Sequence, residues 1–352
     1  MLEAARKAIQ LNPNHALPYG TLVQAYRLTG HFAEAKAIAD RAIAAKLDGF
    51  ILHFNLYMMA FAEADQEAIG RETEWFKGKP LESWNLNHRA WAAMSLGQVR
   101  RARELFHRAY QCALENGLHD YAVATANDQA QLEAEFDYPS EARANVELNL
   151  QTSPESLDTL AGGALALARC GDSRRAESLA QQSKQRWPLN ELLNKIMLPS
   201  IRGAVDLTRK QPAKALEELR PVIAYDLSNT GTIPEFITLY YRGRALLAVG
   251  SGQEAAAQFQ KIMDNCAILP ISPYCSLARL GLARAYALSG DKEKSRTAYR
   301  EFLALWKNAD QDLSALRQAK TEYETLRRNS RRLTSQGVIR YARLPAVVAT
   351  RK

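Results

Sequence analysis

The chain has 352 residues, 47% of them hydrophobic and 24% charged, with a formal net charge of +8. No run of about eighteen apolar residues occurs and no basic stretch followed by an apolar one opens the sequence, so neither a membrane span nor a secretory signal is expected and the composition points to the cytoplasm. The charge surplus sits at the end, where Arg327, Arg328, Arg331, Arg332, Arg340, Arg343, Arg351 and Lys352 occur without one acidic residue; the remainder is balanced, so bulk charge does not indicate a basic face for phosphates, and no nucleic-acid partner is expected.

Taken in chain order, residues 1–13 read as the orphan second helix of a truncated unit, because Ala8, Ile9, Leu11 and Pro13 fall where a unit ends. Residues 14–310 read as about eight helical hairpins. Each pairs a turn residue with a small one five positions later: Gly30 with Ala35, Ala64 with Ile69, Gly97 with Ala102, Asp137 with Ala142, Gly171 with Ala176, Lys210 with Ala215, Gly250 with Ala255, and Gly290 with Ser295. Successive turns are 34, 33, 40, 34, 39, 40 and 40 residues apart, a period that marks a helical array. Glycine suits a helix C-terminus because it accepts a left-handed conformation, and the small residue lets the second helix cross closely over the first. Phe106, Phe259 and Tyr299 then fill the gap one turn on, while Gly162 and Gly163 fall inside a helix and ease its packing. Repeats 2 and 6 depart from the pattern, with Ala64 and Lys210 at the turn. Residues 311–328 read as a capping helix whose apolar face is Leu313, Leu316, Ala319, Tyr323 and Leu326, as open-ended arrays require. Residues 329–352 read as a basic, disordered tail, a contact for nucleic acid or anionic lipid being the less favoured reading.

No constellation for chemistry emerges. There is no phosphate-cradling glycine loop, no dinucleotide fingerprint and no Gly-x-Ser-x-Gly elbow. His15, His31, His53, His88, His107 and His119 include no pair four apart around a glutamate, so they read as solvent-facing or capping residues; no metal and no cofactor are expected. Cys112, Cys170, Cys266 and Cys275 have no zinc spacing. Cys266 and Cys275 flank a helix connection where a disulfide can form, but two free, buried thiols are the favoured reading.

The residues Tyr19, Leu22, Tyr26, Gly30, Ala35 and Ala42, with the units around Gly171 and Gly290, resemble the tetratricopeptide repeat family. The resemblance implies an all-α, right-handed superhelix that binds a peptide or protein segment without doing chemistry. In that family the first helix of each hairpin lines the concave groove, which implies the groove residues here: Gln24 and Arg27 in repeat 1; Phe54, Met58 and Phe61 in repeat 2; Trp84, Asn87, Trp91 and Met94 in repeat 3; Asn127 and Gln131 in repeat 4; Tyr240 and Arg244 in repeat 7; Arg284 in repeat 8. The N-terminal half would form an aromatic and methionine-rich wall, unless Phe54, Phe61, Trp84 and Trp91 pack between repeats instead. Gly20 and Gln24 stand where chaperone-binding members carry a lysine and asparagine clamp, so that clamp is absent from repeat 1.

More particular strings are Glu74-Trp-Phe-Lys-Gly-Lys-Pro80, Leu198-Pro-Ser-Ile-Arg-Gly-Ala204, Gln211-Pro-Ala-Lys-Ala-Leu-Glu217, and Gly281 through Asp310, with Gln318-Ala-Lys-Thr-Glu-Tyr323 beyond. They resemble the C-terminal repeat region of bacterial receptor-type serine/threonine protein kinases over about residues 1 to 326. That resemblance implies a sensor or regulatory fragment, a kinase domain in the same polypeptide or operon, and a place on the extracytoplasmic side. The chain holds none of the glycine-rich loop, lysine and aspartates that phosphotransfer needs.

Overall fold

The structure of the protein, a computed structural model, describes residues 1–227 and 236–341, with side chains as far as Arg328. The expectation of a disordered basic tail therefore lies outside the described residues from 342 onward, and outside the described side chains from 329. All regular structure among the described residues is helical. The orphan helix is α1 (Leu2–Leu11); it docks on repeat 1 through Ala5 and Ile9. The hairpins follow as α2 (Ala16–Leu28) with α3 (Phe32–Ala44), α4 (Phe50–Ala62) with α5 (Gln66–Phe76), α6 (Glu82–Ser95) with α7 (Val99–Glu115), and α8 (His119–Glu135) with α9 (Pro139–Thr152). Next come α10 (Gly163–Arg169) with α11 (Ser173–Arg186), α12 (Leu198–Thr208) with α13 (Pro212–Leu219), α14 (Ile237–Ala248) with α15 (Gly252–Asp264), and α16 (Pro273–Leu288) with α17 (Lys292–Leu305). The cap is α18 (Ser314–Tyr341), which begins three residues after 311 and runs on past 328.

All eight turn residues adopt positive φ, including Ala64, Asp137 and Lys210 at 57°, 64° and 58°. Repeats 2 and 6 thus close like the others: Asp65 N–H donates to Ala60 O at 2.9 Å and Gln211 N–H to Asp206 O at 2.8 Å, the same six-to-one closure that His31 N–H makes to Tyr26 O at 2.9 Å. A left-handed side chain costs about 1–2 kcal/mol, and this closure with the helix packing around it offsets that cost. The small residues after the turns are fully covered, from Ala35 to Ser295, except Ile69, which is half-buried. Phe106, Phe259 and Tyr299 are buried as their spacing implied.

Two inner helices start with a π-helical turn, Asp158–Gly162 before α10 and Leu193–Met197 before α12. The second precedes Pro199, which has no N–H and whose ring crowds the carbonyl four residues back; widening the helix absorbs the mismatch. At the first, a Cβ on Gly162 would lie 2.0 Å from Asn127 Oδ1, so glycine lets α8 approach the wide turn.

The array is not an open groove. The inner helices α6, α8, α10, α12, α14 and α16 touch in succession, and α16 closes back on α6. Trp306 seals the seam: its Nε1 donates to Ser95 O at 3.0 Å, and its ring stacks on Phe136 at 5.9 Å. Asp310 N–H donates to Gly97 O at 2.9 Å, and the Asp310 carboxylate accepts from Arg100 N–H at the start of α7, also at 2.9 Å. One continuous core runs from Tyr57 to Ala319, and Leu313, Leu316 and Ala319 of the cap region belong to it. No helix among the described residues is long and apolar enough to cross a membrane.

Candidate functional site

Burial sorts the expected groove residues. Arg27, Met58, Asn87, Trp91, Met94, Asn127 and Gln131 are buried, so they cannot face a ligand in this conformation. Asn87 Nδ2 and Trp91 Nε1 both donate to Asp128 Oδ2, at 2.8 and 3.1 Å, whereas both amide atoms of Gln131 and the Oδ1 of Asn127 are buried without a hydrogen-bond partner among the described residues. Gln24, Phe54, Phe61, Trp84, Tyr240, Arg244 and Arg284 stay half-buried. Instead of one continuous groove, the structure offers two separate surfaces.

The first is aromatic, and it corrects the expectation of an open wall. Phe50 and Phe54 of α4 meet the Trp84 ring edge-on at 4.7 and 4.3 Å, and the His88 ring lies 3.7 Å from that of Trp84. These rings interlock repeats 2 and 3, the packing role that was the alternative for Phe54 and Trp84, and Phe61 packs against the main core. Burial lowers the His88 pKa to about 4, although Trp84 O lies within hydrogen-bonding distance of Nδ1. His53 also departs from the solvent-facing expectation. It is buried, stacked on Trp75 at 3.8 Å, with Nδ1 2.7 Å from Glu72 Oε2 and Nε2 3.1 Å from Asp48 Oδ2. The other four histidines are exposed.

The second surface is a cleft of about 300 Å³ lined by Tyr240, Arg244, Arg284, Leu247, Phe259 and Leu277. Its floor depends on two glycines: a Cβ at Gly243 or at Gly281 would stand 2.6 Å from the Phe259 ring, so the aromatic slides between α14 and α16 only because both lack one. Its charge is set from beneath. Arg169 donates to both oxygens of Glu135 at 3.0 Å, and Arg244 donates to Oε1 of the same carboxylate at 3.1 Å. One anion thus serves two guanidiniums, which leaves the Arg244 rim positive. Burial works against the Arg169 charge, yet Glu135 raises its pKa. Arg284 donates to Glu322 Oε2 at 3.0 Å, where Tyr299 OH also donates at 2.9 Å. Burial raises the Tyr240 pKa, so the phenol stays a donor at neutral pH.

The sequence reading missed Glu135, Arg169 and Glu322 as supports of this cleft. The one legible signal was a glycine inside each of α14 and α16, Gly243 and Gly281. A smaller cleft of about 210 Å³ lies between α11, α12 and α13, but its rim charges pair across it, Arg209 with Glu177, Arg202 with Glu218 and Lys214 with Asp206.

The cysteines require a second correction. Cys266 and Cys275 form a disulfide, with Cα atoms 6.0 Å apart, because the α15–α16 connection folds back on itself. Cys112 and Cys170 are free. Among the described residues no cluster of His, Cys, Asp and Glu fit to hold a metal ion is found.

No protein-family model and no curated protein matches this chain. Among solved structures it is similar to yeast Tom70, at 15% identity and a TM-score of 0.46, over 94% of this chain and 85% of that one. It is also similar to a tetratricopeptide repeat protein from Parabacteroides merdae ATCC 43184, at 13% identity and a TM-score of 0.45, over 78% and 98%. A third is the P58(IPK) TPR domain, at 13% identity and a TM-score of 0.33, over 94% and 93%. Overlaps this loose carry no argument about partner or activity, and the likeness to receptor-type kinases rests on its sequence strings alone.

Proposed function

We propose that this chain is a non-enzymatic, tetratricopeptide-like protein-interaction scaffold that takes a short segment of a partner protein in the cleft of Tyr240, Arg244 and Arg284. One observation carries the reading: these are the expected groove residues that share a solvent-open cleft after the ring has closed. Guanidinium groups at the rim and the half-buried Leu247 beside them select a segment that offers a carboxylate next to a bulky apolar side chain. Glu135 leaves Arg244 with charge to spare, and Tyr240 adds a phenol donor at the same edge.

The test begins with peptides selected on the wild-type chain from a random displayed library. Those peptides are expected to contain Asp, Glu or a free C-terminus beside an apolar residue. By fluorescence anisotropy they should bind an Arg244→Ala/Arg284→Ala variant about tenfold or more weakly, the loss typical of a central charged contact, and a Phe54→Ala variant normally. Selected peptides that bind the double variant as well as the wild type refute this site.

A further inference from the structure

Repeats 1 and 2 project beyond the closed ring, and one side chain ties them to its far end. Arg27 on α2 is 3% exposed. Its Nε donates to Asn55 Oδ1 on α4 at 2.7 Å, and its Nη1 donates to Ala267 O and Ile268 O at 2.6 and 3.2 Å. All three acceptors are neutral, and burial lowers the Arg27 pKa to about 10. A buried cation of this kind depends on the placement of its acceptors, because losing them exposes the full desolvation cost of the charge.

Both carbonyls belong to the connection bridged by Cys266 and Cys275. Aiming two successive carbonyls at one guanidinium restricts the backbone, and the bridge removes most of the alternatives that a free connection would sample. The cores divide at the same place. Tyr19, Val23, Ala35, Ala39 and Ala42 cluster with Leu52 and Met59 of α4, whereas Tyr57 and Met58 of that helix belong to the main core. Repeat 1 therefore holds to the ring through α4 on one side and through Arg27 on the other.

We propose that the disulfide-bridged connection is a redox-sensitive latch: with Cys266 and Cys275 joined it grips Arg27 and seats repeat 1 on repeat 8, and on reduction it lets repeat 1 swing free. Reduction by a dithiol delivers two electrons and two protons; the S–S bond breaks, two thiols form, and the dithiol leaves as its own disulfide. The carbonyl pair then disperses, and the Arg27 charge regains hydration only as α2 lifts off the connection.

Hydrogen exchange read by mass spectrometry on the full chain tests this. Under reduced dithiothreitol, residues 16–28 and 265–272 should exchange about tenfold faster, a change of about 1.4 kcal/mol in opening, while α6 and α14 stay unchanged. Oxidised dithiothreitol should restore the protection. Arg27→Gln in the oxidised chain should release α2 without loosening 265–272, and Cys266→Ser/Cys275→Ser should match the reduced chain with or without reductant. If reduction speeds exchange in 265–272 alone and leaves α2 protected, the latch is overturned. It is equally overturned if alkylation of the non-reduced chain finds both cysteines as thiols. Reduction of the wild type needs no substitution, so the test stands even if a variant fails to fold.

Discussion

Replacing Gly97 by alanine adds one methyl group where the ring closes. Gly97 has φ +69°, and a Cβ there would lie 2.7 Å from Ala309 Cβ and 3.0 Å from the Trp306 ring. Gly290 occupies the equivalent turn of repeat 8 at φ +84° with nothing within 4 Å of its Cβ, so it carries the conformational strain without the contact. Both substitutions cost about 1–2 kcal/mol in left-handed strain, and Gly97→Ala adds about 1–3 kcal/mol of overpacking that Gly290→Ala escapes. The readout that isolates the seam is exchange at the Asp310 amide, which donates to Gly97 O. An added 1–3 kcal/mol corresponds to about 5- to 150-fold faster exchange in Gly97→Ala than in Gly290→Ala. Equal exchange at Asp310 in the two variants would mean that Trp306 and Ala309 do not sit on Gly97 in solution, and the closed ring would be wrong. A global denaturation midpoint is the poorer assay, because long helical arrays can lose two-state behaviour.

Two further outcomes follow from buried charge. His88 titrates at about 4 when folded and at 6.5 when unperturbed, so the folded state favours its neutral form; the stability it contributes is present above pH 6.5 and is lost as pH falls toward 4. Between pH 7 and pH 5 that loss is about 2 kcal/mol, and His88→Gln should remove this part of the pH dependence of urea unfolding; an unchanged dependence would place the titration elsewhere. Glu135→Gln strips the carboxylate from the buried Arg169 and should cost about 3–5 kcal/mol, whereas Glu135→Leu combined with Arg169→Met should cost markedly less. Thermal melts of both variants check this, and equal losses would show that packing at α8 and α10, not the ion pair, is what the single substitution disturbs.

The hairpins were legible because their determinants are local. A turn residue, a small residue five positions later and a bulky one a turn further on recur within each unit, and the positive φ at Ala64 and Lys210 shows that this frame outweighs the preference for glycine. The cap face from Leu313 to Leu326 was readable for the same reason. What the sequence hides is curvature. Trp306 reaches Ser95 across 211 positions and Arg27 reaches Ala267 across 240, and small rotations between successive repeats, summed around the ring, decide whether such residues meet. Asn127 and Gln131 show the consequence. Their register on α8 points inward, as their place in the helix implies, but inward here means covered: Asn127 Oδ1 lies against Gly162 of the next repeat, 2.0 Å from where a Cβ would stand. Arg244 and Arg284 stay half-buried and line the cleft beside α14 and α16. The disulfide belongs with the hidden features, since nine residues of separation permit a bridge without requiring one.

Closure also constrains how such a chain can change over generations. An unclosed array can gain or lose a unit anywhere, because each unit meets only its neighbours. Repeats 3 to 8 have lost that freedom: one more or one fewer would carry Trp306 away from Ser95 and Asp310 away from Gly97, and the circle would no longer meet itself. Repeat 1 is tied in as well, through Arg27 to Ala267 O and Ile268 O, so a unit gained or lost between it and the ring would break that contact too.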